Sequence, residues 1–137
     1  MIRAIYGKKG SGKTKKIIDL ANTTAQNNPG NTVFIDDDNR YMLDLDHKIR
    51  FINISDYGIK DAHELMGFLC GLSARDFDLD TVFIDAFLKI CATDIADLEW
   101  LFNRMEALGQ ANNIKFVLSV SGNLEDAPAY VQRFIQN

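Results

Sequence analysis

The stretch GKKGSGKT, residues 7–14, decides how the rest of this 137-residue chain is interpreted. It matches the pattern G-x-x-x-x-G-K-[ST], in which a glycine-rich backbone and a lysine surround phosphate groups. The run IRAIY (2–6) before it has strand character, and the residues after it have helical spacing. A phosphate loop of this kind needs a strand before it and a helix after it. The setting therefore favours a phosphate-binding site.

Each residue type in the loop has a physical task at such a site. Gly7, Gly10 and Gly12 permit left-handed backbone angles and let peptide N–H groups approach phosphate closely. The following helix directs the positive end of its dipole at the same place. Lys13 is expected to reach the β- and γ-phosphates, and the Thr14 hydroxyl to bind Mg²⁺. The predicted nucleotide-binding residues are Gly7, Lys8, Lys9, Gly10, Ser11, Gly12, Lys13 and Thr14.

Positive charge is concentrated in this loop. Five lysines and no acidic residue lie between Lys8 and Lys16, whereas the rest of the chain has ten basic and nineteen acidic residues. Positive charge concentrated in one loop suits a compact polyanion such as a nucleoside triphosphate, whereas duplex DNA needs positive charge spread along a groove. A solvated lysine cluster is the alternative interpretation. Nucleic acid is not an expected partner.

Length and composition indicate one nucleotide-binding domain over residues 1–137, since 47% of the residues are hydrophobic and 25% are charged. No apolar run approaches the ~18 residues of a membrane span, and the N-terminus lacks the apolar core of a signal peptide. We therefore expect a cytoplasmic protein with no membrane partner. Cys70 and Cys91 lack paired spacing, and His47 and His63 are isolated, so no zinc site is expected.

Apolar strands alternate with helices along the chain. The predicted strands after the first are 32–36, 49–54, 81–85 and 115–121, and the predicted helices are 13–26, 61–74, 93–110 and 128–136. The helix over 93–110 has the clearest apolar stripe, with Thr93 or Asp94 as its N-cap. This alternation predicts an α/β fold, a three-layer α/β/α sandwich with a mainly parallel sheet of about five strands. Ligands in such folds bind at the carboxyl ends of the strands.

A second motif follows from that rule. The strand TVFID (81–85) has four apolar or β-branched residues and then Asp85. This is the form of a strand whose terminal carboxylate holds Mg²⁺ through water, although carboxylates also end buried strands for structural reasons. Given the phosphate loop, the magnesium role is favoured, and Thr14 and Asp85 are the predicted metal residues.

These residues together resemble the P-loop NTPases, and within them the RecA/KaiC-like ATPase core. IYGKKGSGKT (5–14) is similar to the first strand and phosphate loop of that family. Residues 33–56 are similar to its second strand, which has an acidic end and is followed by a return strand. LDTVFIDAF (79–87) is similar to its Walker B region. The resemblance covers roughly residues 2–121. It implies a RecA-like P-loop sheet with strand order of the 5-1-4-3-2 type, and ATP with Mg²⁺ as ligands.

The resemblance also bears on catalysis. Ala86 stands where many P-loop ATPases have a glutamate after the Walker B aspartate. RecA-like enzymes place a glutamate at the end of the second strand, and the matching segment here is 36–38. We select Asp38 for water positioning; an acidic turn and a contact with Mg²⁺ are the alternatives. Ser119 and Ser121 match the place where the family senses the γ-phosphate, and Ser121, nearer the strand end, is favoured.

Two functions of different classes remain open at this point. The first is a minimal Mg²⁺-dependent ATPase, slow alone and activated by an unknown protein partner or by self-assembly. The second is a nucleotide-dependent switch or sensor module with negligible turnover. A small phosphotransferase is less favoured, because it needs a lid and only the 37–48 segment offers one. P-loop thymidine kinases share the layout, but this chain lacks the cysteines for their zinc-binding lasso.

Overall fold

A computed structural model describes residues 1–137 and shows one five-stranded sheet in which every neighbouring pair is parallel. The strands are β1 (Ile2–Gly7), β2 (Asn31–Asp36), β3 (Arg50–Asn53), β4 (Leu79–Ile84) and β5 (Lys115–Ser121). The helices are α1 (Lys13–Asn27), α2 (Ala62–Arg75), α3 (Phe87–Cys91), α4 (Glu99–Asn112) and α5 (Ala129–Gln132). The predicted α/β class and the predicted number of strands are confirmed.

Helices cover both faces of the sheet, which gives the predicted three layers. On one face α1 buries Ile17, Ile18 and Ala21 in a small cluster that includes Phe34 of β2 and Phe83 of β4. On the other face a larger cluster of 28 buried residues joins the sheet to α2, α3, α4 and α5. The central parts of β1, β2, β4 and β5 are mainly apolar because both of their faces are buried. None of the helices is both long enough and apolar enough to cross a membrane.

The strand order is β1-β5-β4-β2-β3. As the resemblance implies, one strand, β5, separates β1, which precedes the phosphate loop, from β4, which precedes Asp85. Two details differ from the 5-1-4-3-2 type. Strand β3 is added outside β2, and beyond β1 the sheet has only a single parallel bridge, between Ala4 and Ile135.

The last four residues run alongside β1. The Ala4 N–H donates to Phe134 O at 2.7 Å, and the Gln136 N–H donates to Ala4 O at 3.0 Å. The Asn137 side chain continues this pattern: its Oδ1 accepts from the Tyr6 N–H at 2.8 Å, and its Nδ2 donates to Tyr6 O at 3.0 Å. The terminal segment thus satisfies the backbone groups of β1 up to the residue before the phosphate loop.

Two helix predictions are corrected. The predicted helix over 93–110 begins at Glu99, so Thr93 and Asp94 are not its N-cap. A short helix, α3, ends before Ala92, which adopts φ 55°; the chain is then extended at Asp94 and forms a 3₁₀ turn over Ile95–Asp97 before α4. The predicted helix over 128–136 is reduced to the four residues of α5, since the chain after it extends along β1.

Candidate functional site

The carboxyl ends of β1, β5, β4 and β2 surround a cleft of about 690 Å³. Of the residues predicted for the site, this cleft brings together Lys9, Gly10, Gly12, Lys13, Thr14, Asp38, Asp85 and Ser121. The other three, Gly7, Lys8 and Ser11, line a second cavity of about 400 Å³, which shares Gly12 and Lys13 with the cleft. The phosphate-loop segment therefore lies between two open spaces.

The backbone of residues 7–14 is folded by its glycines. Gly10 has φ 82° and Gly12 has φ 89°, both in the left-handed region that favours glycine. The Ser11 N–H donates to Lys8 O at 3.1 Å, which closes a turn, and α1 begins directly after Gly12. A Cβ at Gly7 would lie 2.9 Å from Ser11 Oγ, so a larger residue at this position would require the Ser11 side chain to move. The result is a compact loop in front of a helix N-terminus.

Lys13 lies across this loop. Its Nζ donates to Lys8 O at 2.9 Å. Partial burial lowers the pKa of Lys13, while the nearby charge of Asp85 acts in the opposite sense. The ammonium group is thus held by the loop backbone, and Asp85 acts on it only through its charge.

Asp85 is the centre of a hydrogen-bonded group. It is 6% exposed and follows β4 directly. Thr14 Oγ1 donates to its Oδ2 at 3.1 Å, although 71 residues separate the two in sequence. Ser119 Oγ donates to the other oxygen, Oδ1, and accepts the Ala86 N–H at 3.1 Å. Both oxygens of this buried carboxylate therefore have partners, as buried charges require.

Ala86 has a backbone role besides lacking a carboxylate. Its φ of 55° lies in the left-handed region, which is uncommon for a residue other than glycine. This turn points the chain away from β4 and lets α3 begin at the next residue. Position 86, where a glutamate was looked for in the sequence, is therefore a tight turn between β4 and α3.

The acidic end of β2 contains one deeply buried carboxyl group. Asp36 is 2% exposed, its Oδ1 accepts the Asp37 N–H at 2.8 Å, and its Oδ2 has no hydrogen-bond partner. Burial raises the pKa of Asp36 to about 8, helped by its contact with Asp37 and by the charge of Asp85. Asp36 is therefore protonated over much of the neutral range.

The two following aspartates are engaged with cations. Lys89 Nζ of α3 lies 2.8 Å from Asp37 Oδ2, and the hydrogen bond from Lys89 holds the pKa of Asp37 below its usual value despite partial burial. Asp38 Oδ1 accepts the Arg40 N–H at 2.9 Å, and its Oδ2 lies 3.3 Å from Arg40 Nη2. Asp38 thus lines the cleft but closes a turn with a neighbour in sequence.

Sequence reasoning missed three features of the site. Ser119, ranked behind Ser121, is the serine that contacts Asp85; the register of β5 against β4 decides this and is not visible in the sequence. Asp36 was considered only as part of the acidic segment, and its burial was not anticipated. Lys89 was not singled out, although a lysine four residues after Asp85 was a detectable signal.

Comparisons with known proteins bear on the fold. No protein-family model matches the chain, and no curated protein matches it. Among solved structures, the chain is similar to the flagellar accessory protein FlaH from Methanocaldococcus jannaschii, with a TM-score of 0.56 and 17% sequence identity. The match covers 96% of this chain and 65% of that chain. At this identity the likeness shows the fold alone, and the parallel α/β sheet is consistent with a RecA-like fold.

The hydrogen bonds around Asp85 predict a difference between two serines on the same strand. Ser119→Ala removes one donor to a buried carboxylate and the acceptor of the Ala86 N–H, so we expect a loss of about 1–3 kcal/mol in unfolding free energy. Ser121→Ala, at an exposed position, is the matched control and should change it by less than ~0.5 kcal/mol. Urea unfolding measures both. Equal effects would contradict the arrangement described for Asp85.

The buried Asp36 predicts a specific dependence of stability on pH. In the unfolded chain this carboxyl ionises near pH 3.8, whereas in the folded protein it keeps its proton to about pH 8. The stability that it contributes is present at low pH and is lost as the pH rises through about 8. Asp36→Asn stays neutral, so its melting temperature relative to the wild type should rise with pH.

The measurement is thermal unfolding from pH 4 to pH 9 in the presence of EDTA. We expect the variant to gain at least ~3 °C on the wild type across this range, which corresponds to about 1 kcal/mol. Asp38→Asn, at a half-exposed position, is the control, with no comparable gain expected. A constant difference between Asp36→Asn and the wild type would refute the raised pKa.

Proposed function

We propose that this protein is a P-loop nucleotide-binding protein that holds ATP with Mg²⁺ in the cleft, and that it is a slow or partner-activated ATPase. The observation that carries the proposal is the contact between Thr14 and Asp85. It joins the residue at the end of the phosphate loop to the carboxylate after β4 at 3.1 Å. This pair is the arrangement expected of a magnesium site beside a phosphate loop.

The loop supports the phosphate part of the proposal. The N–H groups at the start of α1 have no partners within the helix, and together with the helix dipole they attract an anion. Lys13 adds a positive charge that is tied only to a backbone oxygen, so it can turn to a phosphate at little cost. Lys8, Lys9, Lys15 and Lys16 lie near it and strengthen the positive potential.

The donor atoms around Asp85 fit a magnesium ion. Mg²⁺ prefers oxygen ligands and keeps several water molecules, so it needs only one or two protein groups besides the phosphates. The hydroxyl of Thr14 and the carboxylate of Asp85 are such groups, and Ser119 fixes the orientation of the carboxylate. When bound, Mg²⁺ would neutralise charge on the phosphate oxygens. The chain's own part is to position these oxygens and to present Lys13.

The second cavity supplies room for the nucleoside. Asp85 does not line this cavity, which is formed partly by Asn123, Leu124 and Glu125 after β5. Leu124 is 52% exposed, which leaves an apolar side chain free to contact a base. A triphosphate laid along the loop would then have its terminal phosphate beside Asp85 and its nucleoside beside Leu124.

A specific observation favours the second function, a nucleotide-dependent switch with negligible turnover. Asp38, the residue predicted to orient water, is engaged by Arg40, and Ala86 has no carboxylate to replace it. Without an oriented water molecule, ATP would be bound but hardly hydrolysed. Binding and hydrolysis are therefore tested separately.

The first test concerns binding. A ligand at 100 times its Kd stabilises the folded state by about 2.7 kcal/mol, which raises the melting temperature of a chain of this size by roughly 8 °C. We expect such a rise with ATP and Mg²⁺ for the wild type and none for Lys13→Ala. Lys60→Ala, which removes an exposed lysine distant from the loop, should respond as the wild type does. If neither ATP, ADP nor GTP shifts the wild type, the proposal fails.

The second test concerns hydrolysis. Phosphate release from ATP and Mg²⁺ over several hours should be measurable for the wild type and should fall about 10-fold or more in Asp38→Asn, since water positioning contributes at least that much. Asp44→Asn, in the same segment, is the control. Unchanged release in Asp38→Asn would remove this residue from catalysis. ATP binding without phosphate release by the wild type would support the switch instead.

A further inference from the structure

Three consecutive carboxylates converge at the end of β2. Asp36, Asp37 and Asp38, here called the acidic triplet, each offer one ligand atom, and these atoms lie within 4.8 Å of one another. Consecutive residues of a regular strand point to opposite faces, so three converging side chains require the turn that follows β2. Oxygen atoms at this spacing can share one hard divalent cation.

The buried member of the triplet lacks a partner. Asp36 Oδ2 is shielded from solvent and makes no hydrogen bond, while Asp36 Oδ1 accepts only the Asp37 N–H. Buried polar atoms are nearly always paired, and an unpaired carboxylate oxygen is costly. Asp36 lines the cleft together with Asp37 and Asp38, so a ligand entering the cleft can reach it. This is an observation independent of the clustering, and a cation bound in the cleft would give Asp36 Oδ2 the partner that it lacks.

The cations already present do not supply that partner. Lys89 contacts Asp37, and Arg40 contacts Asp38, but neither forms an ion pair with Asp36. Both are long side chains that are largely exposed, 73% for Lys89 and 65% for Arg40. Exposed ion pairs of this kind are weak, so a divalent cation can displace them.

We infer that the acidic triplet is a binding site for a divalent metal cation, of the Mg²⁺ or Mn²⁺ type, that is distinct from the magnesium pair Thr14 and Asp85. The cation takes oxygens from Asp36, Asp37 and Asp38 and completes its coordination with water. The site requires no nucleotide, so it goes beyond the proposed function. It also makes Lys89 a competitor, because the lysine and the metal share Asp37.

The test uses Mn²⁺ and the nucleotide-free full-length chain, with bound metal measured by electron paramagnetic resonance. We expect one Mn²⁺ per chain with a Kd below ~1 mM. Asp37→Asn should weaken binding by about 10-fold or more, as loss of a metal-site carboxylate does. Lys89→Ala should tighten binding by roughly 3-fold, because it removes the competing ammonium group.

Two controls separate this site from others. Asp78→Asn, at an exposed position before β4 and so at the opposite end of the sheet, should not change the Mn²⁺ affinity, whereas Asp85→Asn should weaken it less than Asp37→Asn does. Absence of bound Mn²⁺ at 1 mM, or loss of binding in Asp85→Asn with none in Asp37→Asn, overturns the inference. Lys89→Ala tests the site even if an aspartate variant folds poorly. Weaker Mn²⁺ binding by Lys89→Ala would also contradict the site. The nucleotide test with Lys13→Ala fails or succeeds independently of these outcomes.

Discussion

The hydrogen bond between Thr14 and Asp85 depends on the parallel arrangement of the whole sheet. Because β1 and β4 run in the same direction with only β5 between them, the loop after one strand and the carboxylate after the other reach the same edge. Reversal of either strand would place the two groups at opposite ends of the sheet. The helices that cover both faces make this arrangement stable, since they bury strands that are apolar on both sides. The site is thus a consequence of topology.

Much of the fold was predictable because its signals are local. Apolar runs gave all five strands within about two residues, and the glycines at 10 and 12 marked the start of α1 correctly. The region between β4 and α4 was not predictable in the same way. The apolar stripe begins at Ile95, but residues Ile95–Asp97 form a 3₁₀ turn and α4 begins only at Glu99, a difference that the apolar spacing does not signal. The closing helix was overestimated because contacts with β1, distant in sequence, extend the chain after α5.

The residues of the candidate site likewise differ in whether local sequence could predict them. The predicted phosphate loop is contiguous, so its residues could be proposed from sequence alone, and Asp85 was proposed from its place at a strand end. The roles of Ser119 and Asp36 depend on which strands are neighbours and on how deeply each residue is buried. Those quantities are set by packing between distant segments. Asp38, Ser121 and the ligands ATP and Mg²⁺ remain predictions that the experiments above address.

The two hydrogen bonds between the Asn137 side chain and the Tyr6 backbone have a mechanical consequence. Tyr6 immediately precedes the phosphate loop, and the terminal segment is tied to β1 by several hydrogen bonds that lie side by side. A pull along that segment loads these bonds together, in shear, and transmits tension to the backbone that supports Gly7. The loop is therefore not mechanically isolated from residues more than a hundred positions away.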